Sequence, residues 1–240
     1  MPLYNSAPYM RQSIGSVMGQ TVPDWELILI DDCSSDASPA IAREIAATDS
    51  RIRTIALPEN RGGGEARNAG IAAAEGRYIA FLDSDDLWDG RKLEIQLMEM
   101  QEKQALLSYT DFDVITADGT LASNRRTPPK IGYRNLLKNN VIGCSTAIYD
   151  SGQLGKRYFP TIRRRQDLGL WLSILREVEY GYRCGPVLTH YRMHPGSLSA
   201  DKLKSAQFTW RLYRDIEKLS LPVASYYFLN YAAAALRKRI

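Results

Sequence analysis

The chain has 240 residues, 45% of them apolar and 10% aromatic, a composition that supports one large packed domain or two small ones and excludes a disordered chain. Its formal net charge of +4, from 31 basic and 27 acidic residues interspersed along the sequence, is too small to point to nucleic acid and leaves phosphorylated substrates and anionic membranes as compatible partners. Cys33, Cys144 and Cys184 are too scattered for a disulfide framework or a zinc site, and no apolar run is long enough to span a bilayer, so a cytoplasmic protein is expected.

Taken in order, the chain alternates helix and strand signals. After Pro2, Tyr4 and Asn5, Ser6 can cap a helix that carries Ile14, Val17 and Met18 on one face. A turn at Pro23 and Asp24 leads into a strand over 25–30, which ends on Asp31, Asp32, Cys33, Ser34, Ser35 and Asp36. Ser38 and Pro39 make an N-cap and first-turn pair for a helix that buries Ile41, Ala42 and Ile45. A short strand over 52–57 follows, and the run from Asn60 through Gly62, Gly63 and Gly64 to Gly70 enters another helix. This alternation indicates a parallel sheet of the nucleotide-binding kind, and so an α/β fold.

The stretch 77–86 organises the chemistry. Its apolar residues end in Asp83, Ser84, Asp85 and Asp86, which reads as a buried parallel strand delivering carboxylates to the carboxyl edge of a sheet, where open α/β sheets bind ligands. Close carboxylates repel one another unless a cation neutralises them, and hard oxygen donors select Mg²⁺ or Mn²⁺. The pattern suggests a metal-bridged diphosphate; the plain alternative is that Asp83 and Asp86 cap the next helix while Asp85 faces solvent. The glycine run has neither the Lys-Ser/Thr of a P-loop nor the spacing of the dinucleotide fingerprint, which argues against an ATPase and an NAD enzyme. It offers a turn with close backbone approach, and places Arg67 on the first helical turns.

In the second half, Leu93, Leu97 and Met100 form the core stripe of a helix, and 112–121 reads as a hairpin around Asp118 and Gly119. Residues 125–130, with Arg125, Arg126 and Lys130, read as a mobile basic loop that either faces solvent or covers an acceptor. Strand character returns over 141–149. Asp167 opens an apolar helical run after Arg163, Arg164, Arg165 and Gln166, a position that on composition alone is an N-terminal cap. His190 and His194 are four apart, but Pro195 and Gly196 argue against a helical zinc pair. The tail over 201–240 looks helical, with Trp210, Tyr213, Ile216 and Leu219 at helical spacing, a break at Pro222 and an aromatic run over 226–231 before a basic end. It either packs on the domain or lies in the membrane interface.

Four motifs occur in sequence: Pro2-x-Tyr4-Asn5; Asp31-Asp32-x-Ser34-x-Asp36; Asn60-x-Gly62 with Ala66-Arg67-Asn68-x-Gly70; and Phe81-Leu82-Asp83-x-Asp85-Asp86. Together they resemble the family-2 glycosyltransferases with the GT-A fold, in particular the bacterial members that build teichuronic acid, capsule or O-antigen chains, and the likeness continues through 139–144 to near the C-terminus. The resemblance implies a GT-A catalytic domain over 1–200, with a nucleotide-binding half over 1–88 and an acceptor half over 89–200, and a helical extension over 201–240. It implies that Asp32 accepts a hydrogen bond from the uracil N3–H, with Arg67 on the other side of the base and Pro2 and Tyr4 lining the pocket. Asp83, with Ser84, would reach the ribose, and Asp85 would bind Mg²⁺ or Mn²⁺ on the diphosphate. His194, in a Tyr-Arg-x-His context, is a further candidate for the metal or diphosphate shell, with Arg192 and Ser199 beside it.

Asp167 falls on the family's catalytic aspartate, and Gln166 stands where many members have Glu, which removes one negative charge beside it. The resemblance thus implies an inverting transfer from a UDP-sugar to a saccharide or lipid-linked saccharide acceptor, with Asp167 as base. The charge leaves no nucleic-acid partner expected, and a lipid-linked acceptor would suit peripheral contact of the tail with the cytoplasmic face of a membrane, the alternative being a tail packed on the domain. Arg163, Arg164 and Arg165 either meet acceptor phosphate or face water. Family members carry an apolar strand before the Pro-x-Tyr-Asn motif, which this sequence lacks, so an unpaired sheet edge and loosened Pro2 and Tyr4 are expected. Two other classes remain open at this point: a nucleotidyltransferase that releases pyrophosphate, and a non-catalytic nucleotide-sugar-binding partner protein.

Overall fold

The N-terminal half folds as alternating strands and helices because its apolar residues change period from two to about 3.6 and back. β1 (Pro2–Leu3) is followed by α1 (Met10–Met18), which buries Met10, Ile14 and Val17. β2 (Leu27–Asp31) is buried at Leu27, Ile28, Leu29 and Ile30 and leads to α2 (Ser38–Ala46), started by Pro39. β3 (Ile52–Ala56) and α3 (Gly63–Ala73) complete this unit, in which β1, β2 and β3 pair in parallel. The structure, a computed structural model, describes the backbone of residues 1–194 and 202–237 and the side chains of 1–194 and 204–234.

A second sheet starts with β4 (Tyr78–Ala80) and β5 (Leu87–Trp88), which flank the acidic turn. After α4 (Lys92–Glu102) come β6 (Leu107–Ile115), β7 (Leu121–Arg125), β8 (Lys130–Ile131) and α5 (Tyr133–Lys138). A 3₁₀ turn at Cys144–Thr146 precedes β9 (Ile148–Asp150) and α6 (Ser151–Leu154), then α7 (Gln166–Ile174) and β10 (Gly181–Arg192). The order is β4-β9-β6-β10-β5, with β7 on β6 and β8 on β10. The long β6 and β10 ladder is parallel, and the shorter strands add to it antiparallel.

Three differences from the sequence reading matter. The expected parallel strand over 77–82 is only β4, and it pairs antiparallel with β9. β1 gives its hydrogen bonds to β2, and no ladder joins the two sheets among the described residues. Phe81 and Leu82 therefore leave the strand but stay buried, with the Phe81 ring packed against Tyr149, Phe159 and Trp171, so the carboxylates ride on a turn anchored by aromatic packing. Second, the backbone at Pro2 is held rather than loosened: the Met1 amino group donates to the Ile28 carbonyl at 2.8 Å, Ile30 N–H to the Met1 carbonyl at 2.9 Å, and Leu3 is fully buried. Tyr4, just past the ladder, is 54% exposed. Third, the basic segment 125–130 is tied down by Asp111. This buried carboxylate accepts Thr127 N–H at 2.7 Å and Thr127 Oγ1 at 2.8 Å, and Arg126 lies 3.0 Å away.

The tail continues as α8 (Lys202–Arg211), a π-helical turn at Leu212–Ile216 and α9 (Leu221–Arg237). Leu212, Tyr213 and Ala224 join the largest core cluster, which also holds Tyr109, Tyr149, Leu168 and Trp171, and the Tyr213 hydroxyl donates to the Leu137 carbonyl. Pro222 lies in the first turn of α9, where its missing N–H costs nothing. Leu221, Val223, Tyr226 and Leu229 remain exposed. Among the described residues no helix is long and apolar enough to cross a membrane.

The stripe on α4 contains two residues that hydrophobic spacing misses. Lys92 and Gln96 are fully buried. Lys92 Nζ donates to Gln96 Oε1 and, at 3.3 Å, to the Thr146 carbonyl, and lies 4.8 Å from the centre of the Trp88 ring. Burial lowers the Lys92 pKa from 10.5 to about 7. Between those values the unfolded chain keeps a proton that the folded chain has released, so this group makes stability rise with pH, by at most about 1.4 kcal/mol per pH unit. The stability of Lys92→Met relative to wild type, measured by urea unfolding, should therefore fall between about pH 7 and about pH 9. A difference that stays constant across that range would contradict the burial of an ionisable amine here.

Candidate active site

The turn over 83–86 crowds three carboxylates, and the surrounding elements compensate each differently. Arg67, projecting from α3, donates through Nη2 to Asp83 Oδ1 and lies 5.5 Å from the Phe159 ring centre. Burial works against the charge on Arg67, but the Asp83 carboxylate prevails and raises its pKa above the ordinary arginine value. His194 Nε2 lies 2.9 Å from Asp85 Oδ2, and its ring packs 5.2 Å from that of Tyr9. Burial, and then Asp83, push the Asp85 carboxyl above its usual range, while the His194 contact pulls the other way.

Asp86 faces inward and is 1% exposed. Ser145 Oγ donates to its Oδ2 at 2.5 Å and Arg192 N–H to its Oδ1 at 2.9 Å. Burial, followed by Asp83 and Asp85, holds its carboxyl well above the ordinary carboxylate range. Asp86 therefore pins the turn from below rather than meeting a ligand. Ser84 ties the turn to the N-terminal unit: its Oγ donates to Ser6 Oγ at 2.8 Å and its carbonyl accepts Ser13 Oγ at 2.8 Å.

Asp32, at the end of β2, is 2% exposed. Its Oδ1 accepts Arg61 N–H and its Oδ2 accepts Gly62 N–H, both at 2.8 Å, so it fixes the glycine turn in which Gly62 takes φ +87°. Each carboxylate oxygen can accept two hydrogen bonds, which leaves acceptor capacity on both. The three-glycine run also allows close packing. A Cβ on Gly64 would stand 2.7 Å from the Gln166 amide, and Gln166 in turn donates to the Ile162 carbonyl at 2.5 Å. Gln166 thus docks the start of α7 against the start of α3, and Asp167 follows in the first turn of α7 with its Oδ2 accepting Asn140 Nδ2 at 2.9 Å.

Every site residue expected from the sequence except Ser199, which lies outside the described residues, belongs to this neighbourhood. Pro2, Tyr4, Asp32, Arg67, Asp83, Ser84, Asp85, Asp167 and His194 line one cavity of about 1420 Å³. That is larger than one small ligand ordinarily requires, which suits two substrates meeting in one space. Arg67 is already committed to Asp83, so its contact with a base would be made by the remaining face of the guanidinium.

The donor set suits a hard divalent cation of a particular kind. No three His, Cys, Asp or Glu side chains converge to enclose a metal among the described residues. Asp85 with His194 offers a partial shell, and Mg²⁺ and Mn²⁺ in phosphate sites commonly take one or two protein ligands and complete their coordination with water and phosphate oxygen. Burial first, and then the nearby Asp83 charge, raise the Asp85 carboxyl, and a cation would oppose both.

Two residues essential to this geometry were weak or silent in the sequence. Ser145 supports Asp86 through Oγ and accepts Asp83 N–H at 3.1 Å, with nothing in the local pattern to single it out. Arg192 is 2% exposed and distributes its guanidinium over the Asp85 carbonyl at 2.9 Å, the Ala117 carbonyl at 2.9 Å and Gln12 Oε1 at 2.8 Å, joining the acidic turn, the β6 and β7 hairpin and α1. Its place in the Tyr-Arg-x-His run was the available signal.

Comparison with known proteins places the whole chain in a family. The glycosyl transferase family 2 model matches residues 1–157. A protein named for teichuronic acid biosynthesis, the glycosyltransferase TuaG of Bacillus subtilis, is 41% identical over 100% of this chain and 95% of its own length. The UDP-Glc:alpha-D-GlcNAc-diphosphoundecaprenol beta-1,3-glucosyltransferase WfgD of Escherichia coli is 36% identical over 99% of this chain and 92% of its own. The crystal structure of S. aureus TarS 1-349 in complex with UDP-GlcNAc shares the fold at a TM-score of 0.70 and 18% identity, over 96% of this chain and 70% of that one. The nucleotidyltransferase and non-catalytic readings fall away, and the chain belongs to glycosyl transferase family 2, as an α/β glycosyltransferase of the GT-A type.

Proposed function

We propose that the protein transfers a sugar from a UDP-sugar to a hydroxyl of a saccharide or lipid-linked saccharide acceptor in bacterial cell-surface polysaccharide synthesis, with inversion at the anomeric carbon. The observation that carries this reading is that Asp32, Asp85 and Asp167, distant in sequence, line a single cavity. The names of the Bacillus subtilis and Escherichia coli relatives support the pathway class and the lipid-linked acceptor.

Uracil would lie between Pro2 and the exposed ring of Tyr4, with its N3–H donated to spare acceptor capacity on Asp32. Asp83 and Ser84 would meet the ribose, and the backbone of the glycine turn would allow close approach. Asp85, with His194, would hold a divalent cation against the diphosphate; when bound, it supplies Lewis-acid stabilisation of the negative charge on departing UDP. Asp167 accepts the proton of the acceptor hydroxyl as that oxygen attacks from the face opposite UDP, so an α-linked donor yields a β-glycoside. Asn140 holds the Asp167 carboxylate through one oxygen and leaves the other available to the acceptor. The exposed Leu221, Val223, Tyr226 and Leu229 on α9 would contact the membrane interface on the cytoplasmic face, where a lipid-linked acceptor resides.

Asp167→Asn should lower turnover by about 10²- to 10⁴-fold with UDP affinity nearly intact, and Asn140→Ala should lower it by about tenfold through misorientation of the base. Normal turnover in Asp167→Asn would reject Asp167 as the base. Asp85→Ala should lose metal-stimulated release of UDP, and an unaltered response of this variant to added Mn²⁺ would remove Asp85 from the metal site. In flotation with anionic liposomes, a Leu221→Ser, Leu229→Ser double variant should partition less than wild type; equal partitioning would dismiss the membrane role of α9.

A further inference from the structure

The cavity lining also carries cations that the donor-site assignment leaves unused. Its acidic residues other than Asp167 are Asp32 and the trio of the 83–86 turn. The parts of the wall supplied by β7, the segment ahead of α7 and α8 contribute Arg125, Arg163, Arg164, Arg165 and Lys204, with Asp167 following two residues after Arg165. Among the described residues neither Arg125 nor Arg163 has an ion-pair partner. Arg165 holds a left-handed backbone conformation at φ +63°, uncommon for a residue with a side chain, and is fixed by a hydrogen bond from Nη2 to the Tyr231 hydroxyl. Beside these cations β6 and β10 present Phe112 and Tyr191, whose rings meet edge to face at 6.4 Å, whereas Asp113 alternates to the other side of the strand and pairs with Asn124 and His190.

We propose that this wall binds the phosphate groups of an acceptor whose sugar is carried on a diphosphate, with Arg125 and Arg163 as the principal contacts. The inference rests on the proposed transferase reading and names the acceptor class for that site. Attack requires the acceptor hydroxyl at Asp167. In a sugar linked to diphosphate through its anomeric carbon, a ring hydroxyl on the far side stands one sugar ring from the first phosphate. Arg163 to Arg165 lie two to four residues before Asp167, and Arg125 lines the same cavity, so cationic groups border the space into which that phosphate would extend. Guanidinium groups match phosphate oxygens in bidentate fashion, and the two aromatic rings give the intervening sugar an apolar face.

The test uses the full chain saturated with UDP and Mn²⁺, so that the donor site is filled, and titrates it with undecyl diphosphate, neutral undecyl glucoside and phosphatidylglycerol vesicles. Wild type should bind undecyl diphosphate, and an Arg125→Ala, Arg163→Ala double variant should bind it at least about tenfold more weakly, the loss expected for charge-assisted hydrogen bonds; undecyl glucoside should not distinguish the two proteins. Equal affinity of both proteins for undecyl diphosphate overturns the proposal, and so does a loss confined to the vesicles, which would make the wall a general headgroup contact. UDP binding, measured on the same samples, separates the two readings. Intact UDP binding without an undecyl diphosphate response removes the acceptor proposal alone, whereas absent UDP binding removes the donor assignment as well.

Discussion

Three carboxylates within four residues, at the end of a strand only three residues long, set the terms for the rest of this molecule. Their mutual repulsion is met in three ways. Asp83 takes a guanidinium from α3, Asp85 takes an imidazole from the end of β10, and Asp86 is buried on a hydroxyl and a backbone N–H. Each solution recruits a different part of the chain, so the acidic turn is also the point at which the two sheets, α3 and the 3₁₀ turn are fixed relative to one another. The compensation is unequal, and that matters for function. Asp86 is buried and held by Ser145 and the Arg192 N–H, whereas Asp85 lines the cavity with His194 beside it.

Beside the aromatic packing of Phe81, the turn rests on a polar support. Ser145 holds Asp83 and Asp86, its carbonyl accepts the Trp88 indole N–H at 2.8 Å, and the neighbouring Thr146 carbonyl accepts from Lys92 and Gln96. A buried network of this kind is stabilising only when its members are paired, and here the pairing passes from α4 through the 3₁₀ turn to the carboxylates. The helical tail acts at a distance of one layer: Tyr213 anchors it to α5 and Tyr231 holds Arg165, which precedes Gln166 and Asp167. The tail thereby reaches the start of α7 through packing.

Much of this was legible in the sequence because strand ends and helix starts leave strong local marks. The apolar run before Asp31 and Asp32, the glycine run and the Asp118-Gly119 turn each produced the element that their chemistry predicts. Pro39 lies in the first turn of α2, although Ser38 is the first residue of that helix and its hydroxyl accepts Ser6 N–H instead of capping it. What stayed hidden depended on contacts between distant residues. Asp111 gives no sign in its strand that it will accept Thr127 and Arg126, so 125–130 read as mobile. Lys92 and Gln96 look like surface positions until both are found under the 3₁₀ turn. The pairing of β4 with β9 was unreadable for the same reason, since an apolar run does not say which neighbour it will take. For the site itself, the motifs named residues that line the cavity, while the supports at Ser145, Arg192 and Asn140 required the fold.

The proposed transfer needs one convergence: donor, cation and base would have to meet in the cavity shared by Asp32, Asp85 and Asp167. A crystal structure of the protein with a UDP-sugar and Mn²⁺ decides whether they do. Anomalous density for Mn²⁺ is expected between Asp85 and the diphosphate, with uracil against Tyr4 and Asp32 and the anomeric carbon facing Asp167 from the side opposite UDP. Density for the cation away from Asp85, or a sugar whose anomeric carbon is turned from Asp167, would refute the convergence.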